Sequence, residues 1–217
     1  MRCDIYRDRR EAGRRLAVSL EPWRTARPVV LGMTRGGVAV AVEVALALGC
    51  PLEPLFVRKI GVPGHGELAA GAVVDVPTPQ TARNEDICAA FHIPDAYVRD
   101  EAARQLAEIA RRRRAYVGER PPVPVNGRTA IVVDDGVATG ASVRAALLAV
   151  RRSGPAALVL AVPVGSPDTL EELELEVDAL VCPSRPEPFY AIGMFYRDFH
   201  QMDDEEVVAC LEAAGHS

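Results

Sequence analysis

Apolar and polar positions divide the chain into alternating segments. An Arg- and Glu-rich stretch, Arg7 to Leu20, predicts a helix closed by Glu21-Pro22, and the apolar run VVLGM, Val29 to Met33, predicts a short buried strand. After the turn TRGG, the run VAVAVEVALALG is long enough for a buried helix that Gly49 ends. PLEPLFVRK reads as a second strand, GVPGHGELAA as a mobile loop and AGAVVDV as a third strand. A polar helix is expected from Asp95 to Tyr116, followed by the linker PPVPVNG. TAIVVDD, AALVLAVPV and VDALVCP are three further strands, separated by the helical stretches ASVRAALLAVRRSG and SPDTLEELELE. The tail DDEEVVACLEAAG begins acidic and meets a natural stop at Gly215.

Strands that are continuous apolar runs and alternate with helices imply a mostly parallel sheet covered on both faces, an α/β fold. Ligands of such sheets gather at the carboxyl ends of the strands, where strand order reverses. At 217 residues the chain fits one domain, 1–217, in which 77–126 is a helical insertion with its linker and 183–217 a C-terminal hood and helix.

Composition narrows the function classes. Hydrophobic residues make up 49% and charged residues 25%, values of an ordinary globular protein. No apolar run reaches membrane-spanning length, and MRCDIYRDRREAGRR has no apolar signal core, so a cytoplasmic location is expected. Cys3, Cys50, Cys88, Cys182 and Cys210 are scattered without a C-x-x-C pair, which argues against a zinc ribbon or disulfide framework and for small apolar fillers. The net charge of −5 offers nucleic acid no global attraction, and the basic clusters Arg7 to Arg15 and Arg111 to Arg114 read as solvated helix faces. Lys59 is the sole lysine among 25 basic residues, so its compact ammonium marks a place where a planar guanidinium does not serve.

The chemistry concentrates in IVVDDGVATGAS, Ile131 to Ser142. Small residues after a strand let backbone N–H groups approach an anion, and the helix beginning near Ala141 aims its positive end there. Thr139 and Ser142 add hydroxyl donors, and Gly136 and Gly140 supply flexible φ. Asp134 and Asp135 repel each other unless a partner offsets their charge, a sugar diol or a hydrated Mg²⁺. A ribose 5-phosphate satisfies both halves. Neither G-x-x-x-x-G-K-[ST] nor G-x-G-x-x-G is present, so Walker and dinucleotide-binding loops are not indicated.

VVDDGVATGAS resembles the phosphoribosyl pyrophosphate (PRPP) signature of the type I phosphoribosyltransferases. GMTRGG is similar to that family's pyrophosphate loop, and VRKIGVPGHGELAAGAV to its lysine-bearing strand and flap. With the tail FYAIGMFYRDF, these segments look closest to a bacterial group whose acceptor no motif assigns. The resemblance implies a three-layer α/β/α fold with one antiparallel edge strand, Ala72 to Val76. It implies that Asp134 and Asp135 hold the ribose hydroxyls and, through water or the ribose, Mg²⁺. It further implies that Gly136, Val137, Ala138, Thr139, Gly140, Ala141 and Ser142 hold the 5-phosphate, that Thr34, Arg35, Gly36 and Gly37 cradle pyrophosphate, and that Arg58 and Lys59 add positive charge.

On that reading the catalytic set is Arg35, Lys59, Asp134 and Asp135. Fixed cations and Mg²⁺ lower the barrier by stabilising the departing pyrophosphate. The flap Gly61 to Gly71, carrying His65 and Glu67, keeps water from the reacting carbon. Ala138 stands where the 6-oxopurine branch has an aspartate, which disfavours hypoxanthine or guanine as acceptor. Phe189, Tyr190, Phe195, Tyr196 and Phe199 lie within eleven positions and either stack on the acceptor or pack a small hood, whereas Met33 and Trp23 show packing potential only. The expected activity is Mg-dependent transfer of ribose 5-phosphate from PRPP to a nitrogen heterocycle, within nucleotide metabolism and in homodimers. A non-catalytic PRPP sensor and a basic-patch nucleic-acid binder are the alternatives.

Overall fold

A computed structural model of the chain describes residues 5–76 and 79–215, without the side chains of residues 66 and 67. In chain order the strands are β1 (Val29–Met33), β2 (Leu52–Val62), β3 (His65–Asp75), β4 (Gln80–Arg83), β5 (Thr129–Val133), β6 (Ala157–Ala161) and β7 (Ala179–Val181). The helices are α1 (Arg9–Leu20), α2 (Gly36–Leu48), α3 (Glu85–Ala90), α4 (Asp95–Val117), α5 (Ala141–Arg152), α6 (Pro167–Glu174) and α7 (Asp204–Ala213). One seven-stranded sheet runs β4-β3-β2-β1-β5-β6-β7. The strands from β2 through β7 in that order pair in parallel, and β3 runs antiparallel to both β2 and β4.

Two apolar layers sandwich the sheet. α1, α2, α4 and α7 pack on one face around Leu16, Val40, Phe56 and Ile131, and α5 and α6 pack on the other around Leu31, Val132, Leu147 and Leu170. β1 and β5 are buried at every position, which is why VVLGM and the AIVV that follows Thr129 read as apolar runs. They are neighbours, pairing Val29 with Ala130 through Gly32 with Val133. β1 crosses over to β2 on one side and β5 to β6 on the other, so strand order reverses between them. The loops leaving their carboxyl ends open at a topological switch point.

Two expectations need correction at the antiparallel margin. GVPGHGELAA is not a loop: β2 continues to Val62, β3 starts at His65, and the two pair as a ribbon turned at Pro63-Gly64. Gly64, at φ 76 directly after a proline, has the φ signature of a type II turn, and register shifts after Ile60 and Gly61 bend the ribbon. The strand expected over Ala72 to Val76 is the second half of β3, and the four-residue β4 lies outside it at the sheet margin.

Candidate active site

The stretch after β5 folds over the strand end. Asp134 and Asp135 follow the last residue of β5, the Asp135 amide donates to Asp134 Oδ1 at 2.9 Å, and the two carboxylates lie within a few residues of α5. Gly140 caps α5 at φ 73, a left-handed conformation, and a Cβ there would stand 2.7 Å from Thr169 Cγ2. The first turn of α5 holds no acidic residue and its last turn holds Arg151 and Arg152, so the helix presents an uncompensated positive end to this loop. Thr139, Ala141 and Ser142 are exposed there.

Not every residue of the loop faces an anion. The Val137 amide donates to the Val164 carbonyl at 3.0 Å and its side chain is buried, so Val137 anchors the loop to the segment after β6. The Ala138 carbonyl accepts from Thr169 Oγ1 at 2.7 Å. Gly136 is not among the positive-φ glycines; its lack of a Cβ instead admits Ile192, whose Cγ2 would lie 2.7 Å from one.

The TRGG segment seats directly on the acids. The Thr34 amide continues the sheet by donating to the Leu55 carbonyl at 3.0 Å, and the Thr34–Arg35 peptide is cis. A Cβ on Gly36 would fall 2.1 Å from Asp135 Oδ2, and one on Gly37 would fall 2.8 Å from Asp134 Oδ1. Thus two glycines are the condition for this turn to lie against two carboxylates. Gly36 also opens α2, whose first turn carries no acid. Two positively polarised helix ends therefore flank one acidic pair. Arg35 points toward α7, its Nη1 3.9 Å from Asp204 Oδ1, and Asp204 also accepts from the Tyr116 hydroxyl at 2.7 Å.

Arg58 and Lys59, expected to act together, are separated by the strand. Neighbouring residues of a strand point to opposite faces. Arg58 pairs across the ribbon with the buried core residue Val73 and reaches Glu108 of α4 at 4.0 Å. Lys59 pairs with Ala72, which lines a cavity of about 620 Å³ together with Thr139, Ala141 and Arg144. Lys59 is on the side of Thr139 and Ala141, and Arg58 is on the α4 side. His65 rides on the ribbon 5.0 Å, ring to ring, from Phe91. The side chain of Glu67 lies outside the described residues.

Arg9 is the functional candidate that the sequence reading missed. Within the basic run it is only 9% exposed, and its Nε donates to Asp135 Oδ2 at 2.8 Å. Its signal is periodicity: Arg9, Ala12, Gly13, Leu16, Ala17 and Leu20 form the buried face of α1 at helical spacing, so Arg9 is turned inward while its neighbours are not. The repulsion between the acids is accordingly met in part from inside the protein. Burial raises the pKa of both carboxyls, Asp135 raises that of Asp134 further, and the Arg9 guanidinium opposes the rise in each.

The hood behind the acids is packed rather than open. Phe195 and Tyr196 are 5% and 6% exposed, clustered with Tyr6, Ala12 and Val164, and Phe189 stacks on Phe195 at 5.4 Å between ring centroids. The Tyr196 hydroxyl donates to the Asp135 carbonyl at 2.6 Å, which fixes the loop backbone and answers the alternative left open in the sequence in favour of packing for these two rings. Tyr190, by contrast, is exposed. Burial pushes the Cys50 thiol up to about 11 and the Cys182 thiol up to about 12, so neither is a ready thiolate. Cys3 lies outside the described residues.

Comparison with known proteins gives the family. Residues 10–188 match the family described as "Phosphoribosyl transferase domain". Proteins of two Mycobacterium tuberculosis strains, CDC 1551 and H37Rv, that carry a provisional phosphoribosyl transferase name are each 41% identical over 210 residues, 97% of this chain and 47% of theirs. The chain thus spans about half the length of these curated relatives. The crystal structure of TT1426 from Thermus thermophilus superposes with a TM-score of 0.80 at 43% identity, over 95% of this chain and 97% of that one. The family match over residues 10–188, the relatives 41% identical over 97% of this chain and the mostly parallel sheet agree, and the chain belongs to the type I phosphoribosyltransferase family.

Proposed function

We propose that the protein transfers ribose 5-phosphate from PRPP to a nitrogen-containing, nucleobase-like acceptor with release of pyrophosphate. The observation that carries this reading is the packing of Gly36 against Asp135 and of Gly37 against Asp134, so close that a Cβ on either would clash, which sets the TRGG turn beside the pair following β5. One substrate with a diol in the middle and phosphates at both ends matches that spacing of donors and acceptors.

Each part then has a role. Asp134 and Asp135 accept hydrogen bonds from the ribose hydroxyls, and the backbone from Ala138 to Ser142 with the Thr139 and Ser142 hydroxyls receives the 5-phosphate. The amides of Gly36 and Gly37 and the Arg35 side chain receive pyrophosphate, and Lys59 adds charge from the phosphate-loop side. Fixed donors aimed at a leaving group lower the barrier because they need no reorganisation as charge develops. The ribbon from Gly61 to Gly71 covers the reacting carbon and excludes water. Tyr190, whose ring is exposed, is free of the hood packing that engages Phe195 and Tyr196 and is the candidate ring for stacking on an acceptor.

Mg²⁺ fits this donor set. Among the described residues no group of three or more His, Cys, Asp or Glu side chains converges, and Asp135 is already engaged by Arg9. Such a site suits an ion that keeps water and phosphate oxygens as ligands, with Asp134 and Asp135 acting through water or the sugar. When bound, the ion supplies charge stabilisation at the pyrophosphate oxygens.

Calorimetry with Mg²⁺ and PRPP tests the assignment. Asp134→Asn with Asp135→Asn is expected to abolish binding, and unchanged affinity in the folded double variant overturns it. A pyrophosphate-release assay across purines, pyrimidines and other nitrogen heterocycles then identifies the acceptor. PRPP binding with silence across the panel would instead indicate a sensor.

A further inference from the structure

The Arg9 guanidinium makes three contacts, and each ends on a different part of the site. Nε donates to Asp135 Oδ2 at 2.8 Å, Nη1 donates to the His200 carbonyl at 2.9 Å, and the guanidinium carbon lies 4.1 Å from the centroid of the Phe199 ring. Asp135 keeps 13% of its side-chain surface exposed, and Arg9 10%. The TRGG turn closes over the same pair, since a Cβ on Gly36 would lie 2.8 Å from Arg9 Nε. Phe199 in turn stacks on Tyr196 at 4.9 Å, and Tyr196 bonds the Asp135 carbonyl. Asp135 is therefore held at its carboxylate by α1 and at its backbone by the hood, and Arg9 joins the two holds.

We propose that Arg9 is a positioning residue of the sugar-phosphate site: by occupying Asp135 Oδ2 and seating residues 199–200, it sets the orientation in which Asp135 offers its remaining acceptor capacity to a ribose hydroxyl. This rests on the phosphoribosyltransferase reading of the site. A planar fork suits the task because its donors leave in fixed directions within one plane, one toward the acid and one toward the hood, and its face packs on an aromatic ring. A residue that merely fastened α1 to the sheet would need no partner in the acid pair, since Ala12, Leu16 and Leu20 of the same helix face are fully buried.

The test is a double-mutant cycle read by calorimetric affinity for Mg²⁺ and PRPP, with circular dichroism and thermal melting to confirm folding. The four proteins are wild type, Arg9→Gln, Asp135→Asn and the double variant. Loss of a hydrogen bond to a charged group predicts a drop of about ten- to a hundredfold for Arg9→Gln. If Arg9 acts through Asp135, the same substitution in the Asp135→Asn background costs little more, whereas a separate structural role gives additive losses. Should Arg9→Gln not fold, Arg9→Lys keeps the charge without the fork and goes through the same cycle. Folded Arg9 variants that bind as wild type, or strictly additive losses, overturn this proposal alone. Wild-type protein that binds no PRPP overturns the reading of the site and this proposal together.

Discussion

Lys59 and Arg58 show how one step along a strand decides which chemistry a residue can reach. Both are cationic and both lie in β2, yet one faces α4 and the other shares its face with Ala72 on the wall of the cavity beside Thr139. A cation that stabilises a leaving group acts more on the transition state than on the bound substrate. Lys59→Ala is accordingly expected to lower the rate of pyrophosphate release by more than it weakens PRPP binding, and a loss confined to binding would contradict the role. Arg58→Ala removes a charge from the α4 contact instead and should register in thermal stability. Sequence alone placed both residues at the strand end but could not assign their faces, because that requires the register with β3.

At the level of elements, most of the fold was legible. The run at 29–33 coincides with β1, and the strand expected over 129–135 ends as β5 at Val133, before the two aspartates, because burial on both faces favours apolar residues. Gly49 at φ 64 ends α2, and the acidic start of α7 carries a capping box between Asp203 and Glu206. Illegible were β4, whose four residues QTAR show no apolar alternation, and the ribbon, whose glycines mimic a loop until cross-strand pairing defines them. The acid pair and the two glycine-bearing turns beside it could be located because small residues and adjacent carboxylates are locally conspicuous. For Arg9, helical periodicity marks an inward-facing residue, but its tie to Asp135 could not be read because that partner lies 126 positions away.

The approach to α7 also carries a titratable contact. His200 Nδ1 lies 2.8 Å from Asp198 Oδ1 and Nε2 lies 2.7 Å from Glu206 Oε1. The hydrogen bond with Asp198, then that with Glu206, raises the His200 pKa above its ordinary value. A raised folded pKa gives a contribution fully present below the unfolded value of about 6.5 and lost as pH rises through the folded one. An NMR titration of His200 is expected to show a midpoint above about 6.5 that falls in Asp198→Asn or Glu206→Gln. A wild-type midpoint at or below that value contradicts the arrangement.

Across the whole molecule, the segment between β4 and β5 is tied to the sheet by a buried charge. Glu53, 4% exposed, pairs with Arg113 of α4 at 2.8 Å and with Arg120 at 2.9 Å, and accepts from the Val123 amide at 3.2 Å, while Arg113 also reaches Asp75 at 3.3 Å. Removing one partner of a buried pair leaves the others uncompensated, at a cost of about 3–5 kcal/mol. Glu53→Ala is therefore expected to lower Tm by roughly 6–20 °C for a chain of this size, measured by calorimetry. A fall of a degree or less would mean that the cluster is solvated and contributes little.

The clasp on Asp135 draws its parts from residue 9 and from residues 196–200, so the site is complete only when segments far apart in synthesis have met. On the ribosome the acid pair and the turn after it are translated roughly sixty residues before the hood that secures them, and contacts of such long range form late because loop closure must come first. The parallel sheet can thus exist for a time as a scaffold with an unfinished mouth. On the proposed reading, competence to hold a sugar phosphate would then arrive as one of the last events in maturation, after the core has already settled.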